Sequence, residues 1–220
     1  MTQVKQVPVA ALIGDVVGSR GSADRPRLHD RLAAVLAEAN EVLAPVVALR
    51  ITVGDEFQGI FADVGAAVHA SLWLRVRLAP EADLRHGIGW GPVAVLADEP
   101  RVEDGPGWWA ARLAIDSVKA EARRPATREA RTAYRLAEGV DGPDPAAVNA
   151  ALTCRDHLVG SAAVKGDGRS LRLLRGALLG HTQAELAAEE GISASAVSQR
   201  MRHDGLGVVL ATDVMLREVR

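Results

Sequence analysis

Between Val7 and Ile13 the chain is an unbroken apolar run closed by Gly14-Asp15, the pattern of a buried strand ending in a turn. From Pro26 the apolar period lengthens: Leu28, Leu32, Val35, Leu36, Ala39 and Leu43 recur at helical spacing with charges between them, and Pro45 closes the helix. Val46 to Val53 reads as a second strand, Gly54-Asp55 as a tight turn and Glu56 to Phe61 as a third strand. Asp63 can cap a further helix through Leu78, with Val64, Ala67, Val68, Leu72 and Val76 on one face. Leu84 to Val95 returns as a strand interrupted by glycines. The order β-α-β-β-α-β predicts an α+β, ferredoxin-like split βαβ arrangement, a single antiparallel sheet with helices on one face. In it the first strand lies beside the central hairpin, so that Asp15 and Asp55 meet at one rim.

Beyond residue 115 the pattern changes. Residues 116–134 read as a basic helical stretch broken by Pro125, and 141–149 carry turn signals before an apolar helix that runs to Leu158. Residues 166–170 look like a connector. The expected division is a palm-like domain over 1–140 and a small all-α domain over 141–220. The second holds a helix-turn-helix at about 182–202: Thr182 caps a short helix, Leu186 and Ala187 face inward, Gly191 turns, Ile192 packs at the corner, and Ser193 opens a helix containing Val197 and Met201. That helix presents Ser195, Ser198, Gln199 and Arg202 outward, side chains suited to phosphate, adenine and guanine. Glu185, Glu189 and Glu190 oppose that charge, and such helical pairs also serve as protein interaction modules. The tail from Gly205 offers Val208, Val209, Leu210, Val214, Met215 and Leu216, either to pack on this module or to pair two subunits.

Composition narrows the choices. With 220 residues, 48% hydrophobic and 25% charged, the chain can bury a substantial core. A net charge of -2 confines any nucleic-acid contact to a local patch. Cys154 is the single cysteine, so no internal disulfide forms, and no apolar run is long enough to span a membrane or act as a secretory leader; a cytoplasmic protein is expected.

The candidate chemistry lies in the two acidic turns. Carboxylates projecting from neighbouring strand ends can hold Mg2+ or Mn2+ that bridges the phosphate oxygens of a nucleotide. Backbone amides around Val16 to Ser19, with Gly18 and Ser19 as contacts, could cradle a phosphate. A base could stack on Trp108 or Trp109. Each feature also has a plain structural reading: Gly-Asp is ordinary turn chemistry, and the tryptophans suit packing or an interface.

Taken in order, ALIGDVVGSR, TVGDEFQGIF, LRHGIGWGPV and DGPGWWAARLA resemble the SatD family, a bacterial group without a firmly assigned activity, over about the first 120 residues. More distantly the same blocks resemble class III nucleotidyl cyclases. That resemblance implies metal binding by Asp15 and Asp55, a catalytic role for Arg112 on the reacting phosphates, and a homodimer. Arg20 or Arg85 could add positive charge. This chain departs from the cyclase pattern at Trp108, where those enzymes carry a ribose-orienting asparagine, and at Ile51, where many carry a purine-reading lysine. Two functions therefore compete. One is a DNA-binding regulator that responds to a nucleotide and metal; the other is a divergent cyclase, or another phosphoryl-transfer enzyme, that uses the helix-turn-helix as an interaction module.

Overall fold

The computed structural model describes residues 7–21, 24–99, 101–164 and 168–220. In chain order its elements are β1 (Val9–Val16), α1 (Arg25–Leu43), β2 (Val47–Val53), β3 (Glu56–Phe61), α2 (Val64–Leu78), β4 (Leu84–Gly91), β5 (Ala94–Asp98), β6 (Arg101–Asp104), α3 (Pro106–Glu121), β7 (Thr132–Leu136), α4 (Pro145–Val164), α5 (Arg169–Leu178), α6 (Gln183–Glu190), α7 (Ala194–His203) and α8 (Leu206–Arg217). Of the connector expected at 166–170, positions 166 and 167 fall outside the described residues, and α5 starts at its end.

The first four strands form an antiparallel sheet in the order β2-β3-β1-β4, the expected split βαβ core. Its helices start and stop where local chemistry dictates. Asp24 caps α1 by accepting from the Arg27 amide at 3.0 Å, Pro26 occupies the first turn, and the helix ends at Ala44 before Pro45. Asp63 caps α2 through the Ala66 amide at 2.8 Å.

Three expectations need correction. The strand read as 84–95 ends at Gly91, because Pro92 has no amide to continue the ladder, and the chain restarts as the separate β5–β6 hairpin. The sheet is mixed, since β7 pairs in parallel with β4 at the edge. Helices cover both faces, not one. Ala10, Leu12, Phe57, Ile88 and Tyr134 pack beneath α1, α2 and α4, while Ala11, Ile13 and Ile60 on the reverse face meet Trp108, Ala111 and Ile115 of α3. The helix α3 comes unusually near the sheet at two glycines of β4. A Cβ at Gly87 would lie 2.3 Å from the Ala111 carbonyl oxygen, and one at Gly89 2.2 Å from that of Gly107.

Both edge strands are closed by an asparagine that imitates a neighbouring strand. On β2, Asn40 of α1 accepts from the Leu49 amide at 2.7 Å and donates to its carbonyl at 3.0 Å. On β7, Asn149 of α4 does the same for Tyr134, at 2.8 and 2.9 Å. These contacts satisfy backbone groups that would otherwise template another chain. Asn149→Ala leaves a donor and an acceptor of Tyr134 without partners, and urea unfolding should show a loss of about 1–3 kcal/mol with an unchanged m-value.

The C-terminal helices are not an independent packing unit. Leu72 and Val76 of α2 and Val159 of α4 share a core with Leu173, Leu174, Leu186, Val197, Leu206 and Val209. Arg175 of α5 donates to the carbonyls of Val76 and Ala79, closing the open end of α2. At the other end the Gly65 amide donates to the Val219 carbonyl at 2.9 Å, and His69 lies 2.9 Å from Asp213 of α8. Burial would raise the Asp213 carboxyl, but the hydrogen bond to His69, the charge of His69 and Arg217 together hold it below the usual carboxylate range.

Candidate functional site

Asp15 is not in a turn. It is the penultimate residue of the β1 span, paired in register with Arg85 of β4, and the bend follows at Val17-Gly18, where Gly18 takes a φ of 72°. Strand alternation puts the Asp15 side chain on the α3 face with Ala11 and Ile13. There the Arg85 Nε donates to one carboxylate oxygen at 2.8 Å, and the Lys119 Nζ stands 3.0 Å from the other. One step beyond the pair Gly14 and Phe57, Glu56 of β3 comes opposite Asp15 on the same face. The Arg112 guanidinium grips it with two bonds of 2.6 and 2.7 Å. That hydrogen bonding outweighs burial and, with the charges of Arg112 and Lys119, holds the Glu56 carboxyl below its ordinary range. The same hydrogen bonding raises Arg112. Asp116 completes the group, 3.8 Å from Lys119.

Asp55 follows Gly54, whose φ is 64°, at the tip of the β2–β3 hairpin. With Val16, Ser19, Arg25, His29 and Gly54 it lines a cleft of about 300 Å³ on the α1 side, and Asp15 is not part of that lining. The two aspartates thus border one rim from opposite faces of the sheet. The expected pair of metal ligands does not fit this arrangement, because both oxygens of Asp15 are engaged by cations from its own chain. Among the described residues no group of three or more His, Cys, Asp or Glu side chains is placed to hold a metal ion. His86, fully buried, is pushed down to about 3 by burial and then by Arg155 and Arg75, so it is neutral at physiological pH.

Of the residues expected to touch a nucleotide, Val16 and Ser19 line the cleft and Gly18 forms the open turn beside it, with free space where a Cβ would stand. Trp108 does not belong with them. It is 7% exposed beneath α3, among Ala11, Ile13 and Ile60, and cannot serve as a stacking platform. Trp109 is the accessible ring, 58% exposed, with its Nε1 donating to Asp104 at 2.8 Å. The side chain of Arg20 lies outside the described residues. Sequence reasoning missed Lys119. Lys119 follows Arg112 and Asp116 at seven- and three-residue spacing, a signal that all three share a helix face. Glu56 follows Asp55 directly, but Asp55 belongs to the turn, so strand parity does not apply between them.

The second candidate surface is the helical pair. Thr182 and Glu185 form a reciprocal capping box at the start of α6, Gly191 takes a φ of 63°, the Ile192 amide closes on the Ala187 carbonyl at 3.0 Å, and Ser193 caps α7 through the Ala196 amide at 3.1 Å. Leu186, Ala187 and Val197 are buried, while Ser195, Gln199 and Arg202 are exposed and Ser198 is half-buried. The three glutamates that oppose this surface in sequence are each engaged elsewhere: Glu185 in the capping box, Glu189 with His181, and Glu190 with Arg169 and Arg172 of α5. Arg169, Ile192, Ala196, Gln199, Arg200 and His203 line a groove of about 430 Å³ beside α7.

A model of the SatD family matches residues 9–219, and the chain belongs to that family. The match includes the helical segment as well as the sheet. No curated protein sequence matches the chain. Among solved structures, a bacterial light-regulated adenylyl cyclase is similar at 12% identity and a TM-score of 0.46, over 59% of this chain and 42% of that one. The GGEEF domain of a Vibrio cholerae diguanylate cyclase is similar at 13% identity and a TM-score of 0.42, over 61% and 85%. The adenylyl cyclase CyaB from P. aeruginosa is similar at 15% identity and a TM-score of 0.36, over 49% and 70%. Likenesses of this degree carry no argument about activity. Among the described residues no helix is long and apolar enough to cross a membrane.

Proposed function

We propose that this member of the SatD family is a DNA-binding regulator that responds to a nucleotide held at the rim of its sheet. The observation that carries this reading is the helical pair, with two capped helices, a left-handed glycine between them, and a second helix whose Ser195, Gln199 and Arg202 project into solvent while the nearby glutamates are engaged locally. In a major groove Gln199 would bond an adenine edge, Arg202 a guanine or a phosphate, and Ser195 and Ser198 the backbone. The nucleotide reading draws on the cleft between the Gly18 turn and the Asp55 hairpin tip, where Arg25, His29 and Ser19 offer contacts to phosphate. A route between the two sites is supported by α2, which follows β3 in sequence and forms one wall of the core that holds α5 to α8.

A homodimer belongs to the same proposal, since a lone module of this size binds DNA weakly. Its support is an exposed stripe on α8, where Val208, Val214 and Met215 are 58%, 62% and 71% exposed with Ala211 between them. Retention of the full chain on duplex DNA, measured by fluorescence anisotropy at stepped salt, should fall by roughly tenfold or more in the Gln199→Ala, Arg202→Ala double variant, with a shallower salt slope. Unchanged retention would remove the regulator reading.

A further inference from the structure

We propose that Lys119 is the resident cation of the Asp15 rim, an ammonium that stands where a divalent ion would otherwise be drawn and keeps one out. Asp15, Asp116 and Glu56 bring three carboxylates to the α3 face of this rim, a local negative charge that draws cations although the three are not grouped as a ligand set. Three cations of the same chain answer them. Lys119 lies 3.0 Å from Asp15 and 3.8 Å from Asp116, Arg85 takes the remaining oxygen of Asp15, and Arg112 holds both oxygens of Glu56.

Of the three, Lys119 is the compact point charge on a flexible stem, the kind of cation that can take the place of a metal ion, whereas the guanidinium groups are directional forks. It also touches two of the three acids, so its removal uncovers Asp116 and frees one oxygen of Asp15, whose other oxygen stays with Arg85. A divalent ion entering beside Asp15 would meet the ammonium and the Arg85 guanidinium at short range, and their repulsion opposes it more strongly as the site becomes drier. The Asp15 side chain is 13% exposed and that of Lys119 34%, so water screens the pair only in part.

One measurement on the full chain decides the matter. Mn2+ alone is titrated and the free ion followed by electron paramagnetic resonance, in the wild type, in Lys119→Met, in Lys119→Gln as a second variant, and in Lys119→Met combined with Asp15→Asn. The wild type should leave Mn2+ free, both lysine variants should bind it roughly tenfold tighter or more, and the added Asp15→Asn change should abolish that gain. Wild-type protein that binds Mn2+ as tightly as the variants overturns the inference, and so do lysine variants that gain nothing.

Discussion

Asp156→Ala should cost about 3–5 kcal/mol of stability. Asp156 sits in α4 with no exposed surface and accepts from the backbone amides of Arg131 and Thr132 at 2.8 and 2.7 Å, fixing the start of β7. Its other oxygen lies 3.3 Å from Arg155 and 3.5 Å from Arg75, both almost wholly buried. Truncation therefore does three things together: it orphans two amides, strips a counter-charge from two buried guanidinium groups, and loosens the edge strand. Arg75 keeps Asp83 as a partner, and Asp83 is in turn shared with Arg131. Burial would raise the Asp83 carboxyl, but Arg75 and then Arg131 hold it below its ordinary range, so that anchor survives the change. Arg155 is left with the Val68 carbonyl, Ser71 and Thr132, which bond it without balancing its charge. Urea unfolding checks the value; a loss below about 1 kcal/mol would mean that water enters the site readily.

Gly87→Val should cost roughly 3 kcal/mol and disturb the rim as well as the core. The new Cβ would meet the Ala111 carbonyl oxygen at 2.3 Å and the Ile115 amide nitrogen at 2.4 Å, both backbone atoms inside a helix, which cannot turn aside as a flexible side chain could. The remaining response is for α3 to lift from β4. Arg112 and Lys119 ride on that helix, so the contacts to Glu56 and Asp15 lengthen with it. Denaturant unfolding should record the stability loss. The Glu56 carboxyl, followed by NMR, should titrate closer to its ordinary range than in the parent, because the hydrogen bonding that lowers it is weakened.

How much of this was legible in the chain follows from which signals are local. The β1-α1-β2-β3-α2-β4 order could be read because each element carries its own period and its own stop, such as Pro45, the Gly54 turn and the Asp63 cap. The ends of α6 and α7 were legible for the same reason, since Thr182, Gly191 and Ser193 act on backbone groups within a few residues. The edge strand β7 was not. Its first three residues fall inside the stretch 116–134 that reads as basic and helical, whereas α3 ends at Glu121, and its inward Thr132 and Tyr134 make a two-point alternation too short to stand out from a helix face. The glycines at 87, 89 and 91 were visible as interruptions, but their meaning, a close approach of α3, depends on a helix twenty residues further on.

At the rim the sequence placed Asp15 and Asp55 near one end of the sheet and Arg112 within reach of it. What it could not give was the side from which each group arrives. That is decided by where β1 stops: the strand runs on to Val16, three residues past Ile13, so Asp15 lies within it, faces α3 and comes into the reach of Arg85 and Lys119. The turn signals at 141–149 are a related case. Turn signals mark a break in the chain, whereas α2 and α4 serve both halves of the packed molecule, and that sharing has no local signature.

The most direct test of the regulator account is the affinity of the full chain for a fixed duplex at fixed salt, measured without ligand and with saturating ATP, GTP, CTP and UTP in turn. A nucleotide held at the rim and coupled through α2 should change that affinity by a factor of about 5–150 for at least one of the four, and DNA should change the affinity for that nucleotide by the same factor. Five superimposable isotherms would contradict it.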